Sequence, residues 1–217
     1  MPKVHLRASQ CAFIASLDAD TYFMVDNHGP RWTLTSSSNR SMIVFDADVI
    51  SQEPFETEIV YQLSDIVLAM LRSCAHGVVI ISLRPTKVSF THDHEQLIRR
   101  VSDVVEEEKT TFHIPIGDSQ SFKLRYDHWA RIIPMLVSDI VRVDVSSNSV
   151  TFTGDDCGAA CTCETDIETT FQVHYSDWKF IFDRWPDRFV HVEMGIGENG
   201  VLYMMYGGIK GFMSPVV

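Results

Sequence analysis

The chain has 217 residues, 45% of them hydrophobic and 22% charged, which excludes intrinsic disorder and collagen-like repeats. Its 18 basic and 29 acidic residues give a net charge of −11, which argues against a protein that binds nucleic acid through a uniformly basic surface. No apolar run approaches the roughly 20 residues that span a bilayer, and residues 1–7 lack the apolar core of a signal peptide. Together with five cysteines, an odd number, these features predict a soluble intracellular protein with free thiols.

A helix followed by a strand, a turn and a second strand is predicted four times along the chain. The predicted helices cover 8–17, 64–75, 127–137 and 176–185; the paired strands cover 21–26 with 31–36, 78–83 with 87–91, 140–145 with 149–154, and 189–195 with 201–206. Alternating valines at 141, 143 and 145 are typical of a half-buried strand. Pro134 lies inside the third predicted helix and is expected to kink or shorten it.

Further strands are predicted between these units, at 39–49, 55–61, 97–105, 159–165 and 168–175. Short helices and many strands in two similar halves predict an α+β fold of two pseudo-symmetric domains with antiparallel sheets. The acidic stretch around 106–121 contains proline and glycine and is interpreted as the connector. The predicted organisation is therefore a domain at 1–105, a connector at 106–121 and a domain at 122–217.

Several segments resemble the sliding clamps of the proliferating cell nuclear antigen (PCNA) family, as a diverged, viral-type member. They are, in chain order, 63–89 with Leu-Arg-Ser-Cys-Ala at 71–75, Phe-His-Ile-Pro at 112–115, Ala-Arg-Ile at 130–132, 171–175, 189–194, 201–206 and 211–216. The resemblance lies in their order and spacing and extends over nearly the whole chain. It implies the DNA clamp fold, with antiparallel sheets outside and helices lining the inner face of a ring.

The function implied by this resemblance is that of a polymerase processivity factor. Three subunits would join head to tail around duplex DNA, without reading its sequence. The implied partners are a DNA polymerase, other proteins with clamp-binding peptides and a clamp loader, and the implied location is the nucleus, or the host nucleus for a virus. No catalytic site, cofactor or membrane contact is expected.

Basic residues on or beside the helices would face DNA phosphates in such a ring. The candidates are Arg7, Arg72, Arg131, Lys179 and Arg184. This set is sparse, because the first helix has no basic residue where family members usually carry several lysines. Each candidate could instead be an ordinary solvated charge, which is the favoured interpretation for Arg7 and Arg184.

Partner peptides of clamps insert aromatic side chains into an apolar pocket. Carried over by resemblance, this pocket would use Met42, Phe112, Ile114, Pro115, Gly200, Phe212, Ser214 and Pro215. Met42 and Phe212 could instead be plain core residues. The preceding stretch, 36–40, is shorter than in the family, so partner specificity is expected to differ.

Subunit contacts in clamps join edge strands of neighbouring copies, which satisfies backbone groups that would otherwise template aggregation. By resemblance these edges are 97–104 and 159–163. The interface candidates are Leu97, Arg99, Val101, Ala160, Cys161 and Cys163.

Two clusters offer metal-binding alternatives. Cys157, Cys161 and Cys163 could hold a soft metal, but their spacing is not that of a zinc knuckle, and small apolar residues of an edge strand fit equally well. The stretch His-Asp-His-Glu at 92–95 could bind a metal or supply a base, but a surface loop is the simpler interpretation.

The alternative function is a clamp-fold subunit that does not encircle DNA by itself. It would belong to a heteromeric checkpoint-type clamp or act as a non-encircling processivity or interaction factor. A purely scaffolding β-protein is a third possibility. The sparse basic lining and the unusual edge segment fit the checkpoint-type clamp and the non-encircling processivity factor.

Overall fold

The computed structural model describes residues 3–15, 20–26, 29–50, 59–63, 65–74, 78–84, 87–92, 95–100, 120–125, 131–163, 165, 167–184, 191–197, 200–206 and 209–216. The chain divides into two compact units: Met1–Ser37 with Val44–Thr111, and Ser38–Ile43 with Phe112–Val217. Residues 38–43 lie inside the predicted first domain, but their contacts place them in the second unit.

The described part of the chain is mostly antiparallel strand. The helices are α1 (Ala8–Ala15), α2 (Asp65–Ser73) and α3 (Tyr175–Arg184). The strands are β1 (Lys3–Arg7), β2 (Asp20–Asp26), β3 (Gly29–Thr35), β4 (Ser41–Asp46), β5 (Asp48–Val49), β6 (Ile59–Gln62), β7 (Val78–Arg84), β8 (Lys87–His92), β9 (Glu95–Arg100), β10 (Gln120–Arg125), β11 (Ile140–Ser146), β12 (Ser149–Thr153), β13 (Gly158–Thr162), β14 (Thr169–His174), β15 (His191–Ile196), β16 (Leu202–Tyr206) and β17 (Ile209–Met213).

The first unit contains the sheet β5-β1-β7-β8-β9 and the strand series β4-β3-β2-β6. Its core is aromatic: the Trp32 ring lies 4.8 Å from Phe23 and 6.5 Å from Phe45, between ring centroids. Phe13 of α1 contacts Phe45 edge to face, so the helix is fixed to the same core. Such ring pairs stabilise a core beyond the area that they bury.

The second unit contains the sheet β13-β12-β11-β14 and the series β10-β15-β16-β17, beside which the first residues of β4 lie. Helix α3 packs on this unit through the fully buried Trp178, whose ring lies 5.1 Å from Phe152 of β12. The apolar face of α3 therefore anchors the helix, and its opposite face, with Ser176 and Lys179, is exposed.

The predicted α+β class with antiparallel sheets is confirmed. Pro134 acts as expected: helical backbone at Arg131 and Ile132 leads into a single 3-10 turn, Ile133–Met135, which contains the proline. Strands β1 and β10 were not predicted, and both alternate buried apolar with exposed side chains. Among the described helices, none has the length and apolar character needed to cross a bilayer.

Candidate functional site

The predicted DNA-contacting residues are spread over strands, helices and a turn. Arg7 is the last residue of β1, and its Nη2 lies 3.0 Å from Asp48 Oδ2, an ion pair without hydrogen-bond geometry. Its charge is therefore partly neutralised by a neighbour on β5. Helix α1, which follows directly, contains no basic residue.

The remaining basic candidates lie on α2, α3 and the turn at 131–135. Arg72 is exposed in the last turn of α2, and Arg131 is exposed in helical backbone two residues before the 3-10 turn. Lys179 is exposed on α3 and pairs with Asp183 one turn later. The side chain of Arg184 lies outside the described part. An exposed pair spaced i, i+4 contributes only about 0.3–0.5 kcal/mol, so phosphate could displace Asp183 from Lys179.

The predicted peptide pocket is described in part. Met42 is half-buried on β4, and Phe212 is buried on the neighbouring strand β17. Gly200 has a left-handed φ of +72°, and a Cβ there would lie 3.5 Å from Pro215 Cγ. The described pocket residues thus belong to one unit. Phe112, Ile114 and Pro115 lie outside the described residues.

Residues 214–216 form a short segment that two hydrogen bonds fix to the second unit; we call it the closing segment. Ser214 N donates to the Arg40 carbonyl at 2.8 Å, and Val216 N donates to the Gln172 carbonyl at 2.9 Å. The first bond ties the segment to the stretch before β4, and the second ties it to the outer side of β14. Both ends of the segment are thereby positioned.

A buried carboxylate in α3 was missed by the sequence analysis. Asp177 is 1% exposed and accepts hydrogen bonds from Arg40 Nε at 2.9 Å, Ser38 Oγ at 2.9 Å and Ser41 Oγ at 3.4 Å. The donors precede Asp177 by about 140 positions, so local pattern gives no sign of them. The sequence signal that was available is an acidic residue in the first turn of a helix, where the positive end of the helix dipole stabilises a negative charge.

The predicted interface strand β13 is an edge of its sheet among the described strands. Gly154 N donates to Cys157 O and Cys163 N donates to Asn148 O, which fixes the hydrogen-bonded pairs of the β12–β13 ladder. Pairs alternate along an antiparallel ladder, so the backbone N–H and C=O groups of Gly158, Ala160 and Thr162 point away from β12. These groups could pair with a further strand.

The other predicted interface strand, β9, is likewise an outer strand of its sheet within the described part. It contains Leu97 and Arg99, which pair in register with Phe90 and Val88 of β8. Val101 lies outside the described residues. The structure thus places each predicted interface segment on an outer strand, and the interface itself stays a prediction.

Cys11, Cys74 and Cys163 are buried free thiols, and Cys157 and Cys161 are partly exposed free thiols. Burial raises the pKa of Cys161 to about 11, with a further contribution from nearby Cys163, and burial also raises the pKa of Cys11 to about 11. Cys157 Sγ donates to the Met135 carbonyl at 3.0 Å. Among the described residues, no three or more His, Cys, Asp or Glu side chains are placed to hold a metal ion together.

The stretch 92–95 connects two strands. His92 ends β8, Glu95 begins β9, and the two are cross-strand partners in a hairpin. The intervening residues, 93–94, lie outside the described part.

No protein-family model and no curated protein matches the sequence. The fold is similar to that of the DNA polymerase III beta subunit from Thermotoga maritima in its crystal structure, with a TM-score of 0.72 and 10% sequence identity. The likeness covers 100% of this chain and 65% of the other, so this chain spans about two thirds of the length of that neighbour. The predicted clamp fold is thereby confirmed.

Proposed function

We propose that this protein is a DNA sliding clamp, a non-catalytic processivity factor that encircles duplex DNA and docks a polymerase. The observation that carries the proposal is the clamp fold over the whole chain, shared with a DNA polymerase subunit. A ring holds DNA by enclosure, so it needs no sequence-reading contacts and no strong attraction. This requirement is compatible with a net charge of −11.

The finer proposal is a homotrimer of the PCNA type, diverged and viral, acting in the nucleus or host nucleus and placed on DNA by a clamp loader. It rests on the resemblance of segments such as 63–89 and 201–206. The outward backbone groups of β13 support head-to-tail assembly, because an open strand edge needs a partner strand.

Partner docking is proposed at the surface around Met42, Phe212 and the closing segment. A half-buried methionine beside a buried phenylalanine suits an aromatic plug, since Met side chains adapt their shape to aromatic rings. Peptides of a polymerase and of repair proteins are the proposed occupants.

A subunit that does not encircle DNA alone is the second candidate function. The favouring observation is that two of the proposed phosphate contacts, Arg7 and Lys179, already pair with carboxylates, while α1 supplies no cation. Such a subunit would suit a heteromeric checkpoint-type clamp or a processivity factor that acts as a monomer.

Retention on end-blocked DNA tests the proposal without a loader. Linear duplex is tethered to a bead by one end, the protein is allowed to thread over the free end, and that end is then capped with streptavidin. We expect retention that survives about 0.5 M salt and is lost when a restriction enzyme cuts the duplex, because enclosure does not depend on counterion release. Release at the same rate with and without the cap would reject encirclement.

Light scattering after size exclusion separates the two candidates. A mass near three times 24.7 kDa supports the homotrimer. A monomer at micromolar concentration supports the second candidate instead.

A further inference from the structure

The Asp177 network holds the exposed turn that precedes β4. Residues 37–40 are all exposed, and Asn39 adopts a left-handed φ of +56°. Asparagine tolerates this conformation, but a polar exposed turn gains little from burial. Arg40 and Ser38 instead bind the same carboxylate through both of its oxygens. Asp177 therefore binds two residues of this turn at once.

The fixed turn leads directly to the proposed peptide pocket. Met42 follows Arg40 by two residues, and Ser214, which donates to the Arg40 carbonyl, follows Phe212 by two residues. Arg40 thus contacts α3 with its side chain and the closing segment with its backbone. The contacts form one chain, from Asp177 through Arg40 to Ser214.

We infer that Arg40 and Asp177 are positioning residues for the pocket: their ion pair holds the turn and, through the Arg40 carbonyl, the closing segment in the shape that accepts a partner peptide. This inference rests on the proposed docking function. The geometry favours a positioning role over mere stabilisation, because Arg40 is 42% exposed while the carboxylate is 2% exposed. In Asp177→Asn the exposed guanidinium can be rehydrated, so this variant should loosen the turn more than it destabilises the unit. Arg40→Gln leaves the buried carboxylate without its cation, although Ser38 and Ser41 still donate to it, so this variant is expected to lower the stability of the unit as well.

The test compares Arg40→Gln and Asp177→Asn with the unaltered protein and with the control Asp183→Asn. The control breaks an exposed ion pair on the same helix, α3, without touching the turn. Arg40→Lys keeps the charge and tests for partial rescue. Two quantities are measured at a temperature well below melting: amide hydrogen exchange at Ser214, and the dissociation constant of a short fluorescein-labelled peptide with two adjacent phenylalanines.

We expect Ser214 exchange to accelerate and the peptide Kd to rise about tenfold in both pair-breaking variants, as expected for loss of one charge-assisted hydrogen bond. The control should change neither quantity, and Arg40→Lys should lie in between. The amides of Gly154 and Cys163 in the neighbouring sheet should keep their protection, since their hydrogen bonds do not involve the turn.

Unchanged Ser214 exchange in both variants would overturn the inference. So would equal acceleration at Ser214, Gly154 and Cys163, because that result means general destabilisation. A loosened Ser214 with an unchanged peptide Kd would overturn the link to the pocket. Failure of the unaltered protein to bind the peptide would reject the docking function itself, while the exchange data would still decide whether Arg40 positions the closing segment.

Discussion

Replacing Ala160 with proline should break subunit assembly while leaving the protomer folded. The N–H of Ala160 points away from β12, so its loss removes no bond from the sheet of its own chain. Proline is tolerated in edge strands when the missing N–H faces outward. In a ring, the same change removes one donor from each interface and places a pyrrolidine ring between the strands.

The size of the effect follows from the number of interfaces. A net contribution of about 1 kcal/mol per backbone hydrogen bond, lost at three interfaces, weakens trimer formation by about 3 kcal/mol, or roughly 150-fold in the association constant. Steric exclusion by the proline ring adds to this value. Because the trimer constant scales with the square of concentration, this loss moves the midpoint of the proposed trimer about 12-fold upward, and Ala160→Pro should be monomeric just above the midpoint of the unaltered protein.

Sedimentation velocity over a dilution series measures the association constant, and far-ultraviolet circular dichroism reports the fold. Ala160→Ser keeps the N–H and the side-chain size and should assemble normally. Ala159→Pro should unfold the β12–β13 hairpin, because by the alternation of the ladder its N–H points towards β12. An unaltered trimer in Ala160→Pro would refute the assignment of β13 to the interface.

Two further predictions follow from other parts of the second unit. The double variant Arg131→Glu, Lys179→Glu should shorten retention on end-capped DNA without changing the melting temperature, since both side chains are exposed; unchanged retention would remove these residues from the DNA-facing set. Gly154→Ala should lower stability by about 1–3 kcal/mol in chemical denaturation, because a Cβ there lies 3.0 Å from Ser138 Cβ. Gly158→Ala, where the nearest atom is 3.4 Å away, is the matched control, and equal losses would contradict the packing argument.

Local pattern was sufficient to predict four hairpins of this chain, β2–β3, β7–β8, β11–β12 and β15–β16, but not β8–β9, β12–β13 or β16–β17. Valines alternate with polar residues along β11, and the turn to β12 holds Asn148 at a left-handed φ of +66°. Both signals lie within a few residues of one another, so sequence alone carries them. The same local reasoning explains why Pro134 lies in a 3-10 turn rather than within a continuous α-helix.

Strands β1 and β10 were missed although the signal was present. In β1 buried Val4 and Leu6 alternate with Lys3, His5 and Arg7, but residues 1–7 were tested only for the apolar core of a signal peptide. β10 has the same alternation but begins inside the stretch that was interpreted as connector. Short period-two patterns rich in charge are weak evidence until a neighbouring strand is known.

Tertiary pairing decided what sequence could not predict. Residues 38–43 join the second unit because the start of β4 lies beside β17, far away in the chain. The Arg40–Asp177 pair spans 137 positions for the same reason. The edge location of residues 159–162 could be inferred from the family resemblance. Which of their backbone groups point outward could be decided only from the hydrogen-bond register between β12 and β13.

The two outer strands of the sheet β13-β12-β11-β14 differ in whether their outward backbone groups are already hydrogen-bonded within the chain. On β14, the Gln172 carbonyl is already occupied by Val216 of the same chain, whereas β13 presents the outward groups of Ala160. Growth of this sheet by another molecule is thus favoured on one side, so copies would add with a defined polarity. A dissociated protomer would carry an uncovered strand, so assembly would lower the fraction of molecules that expose this template for aggregation.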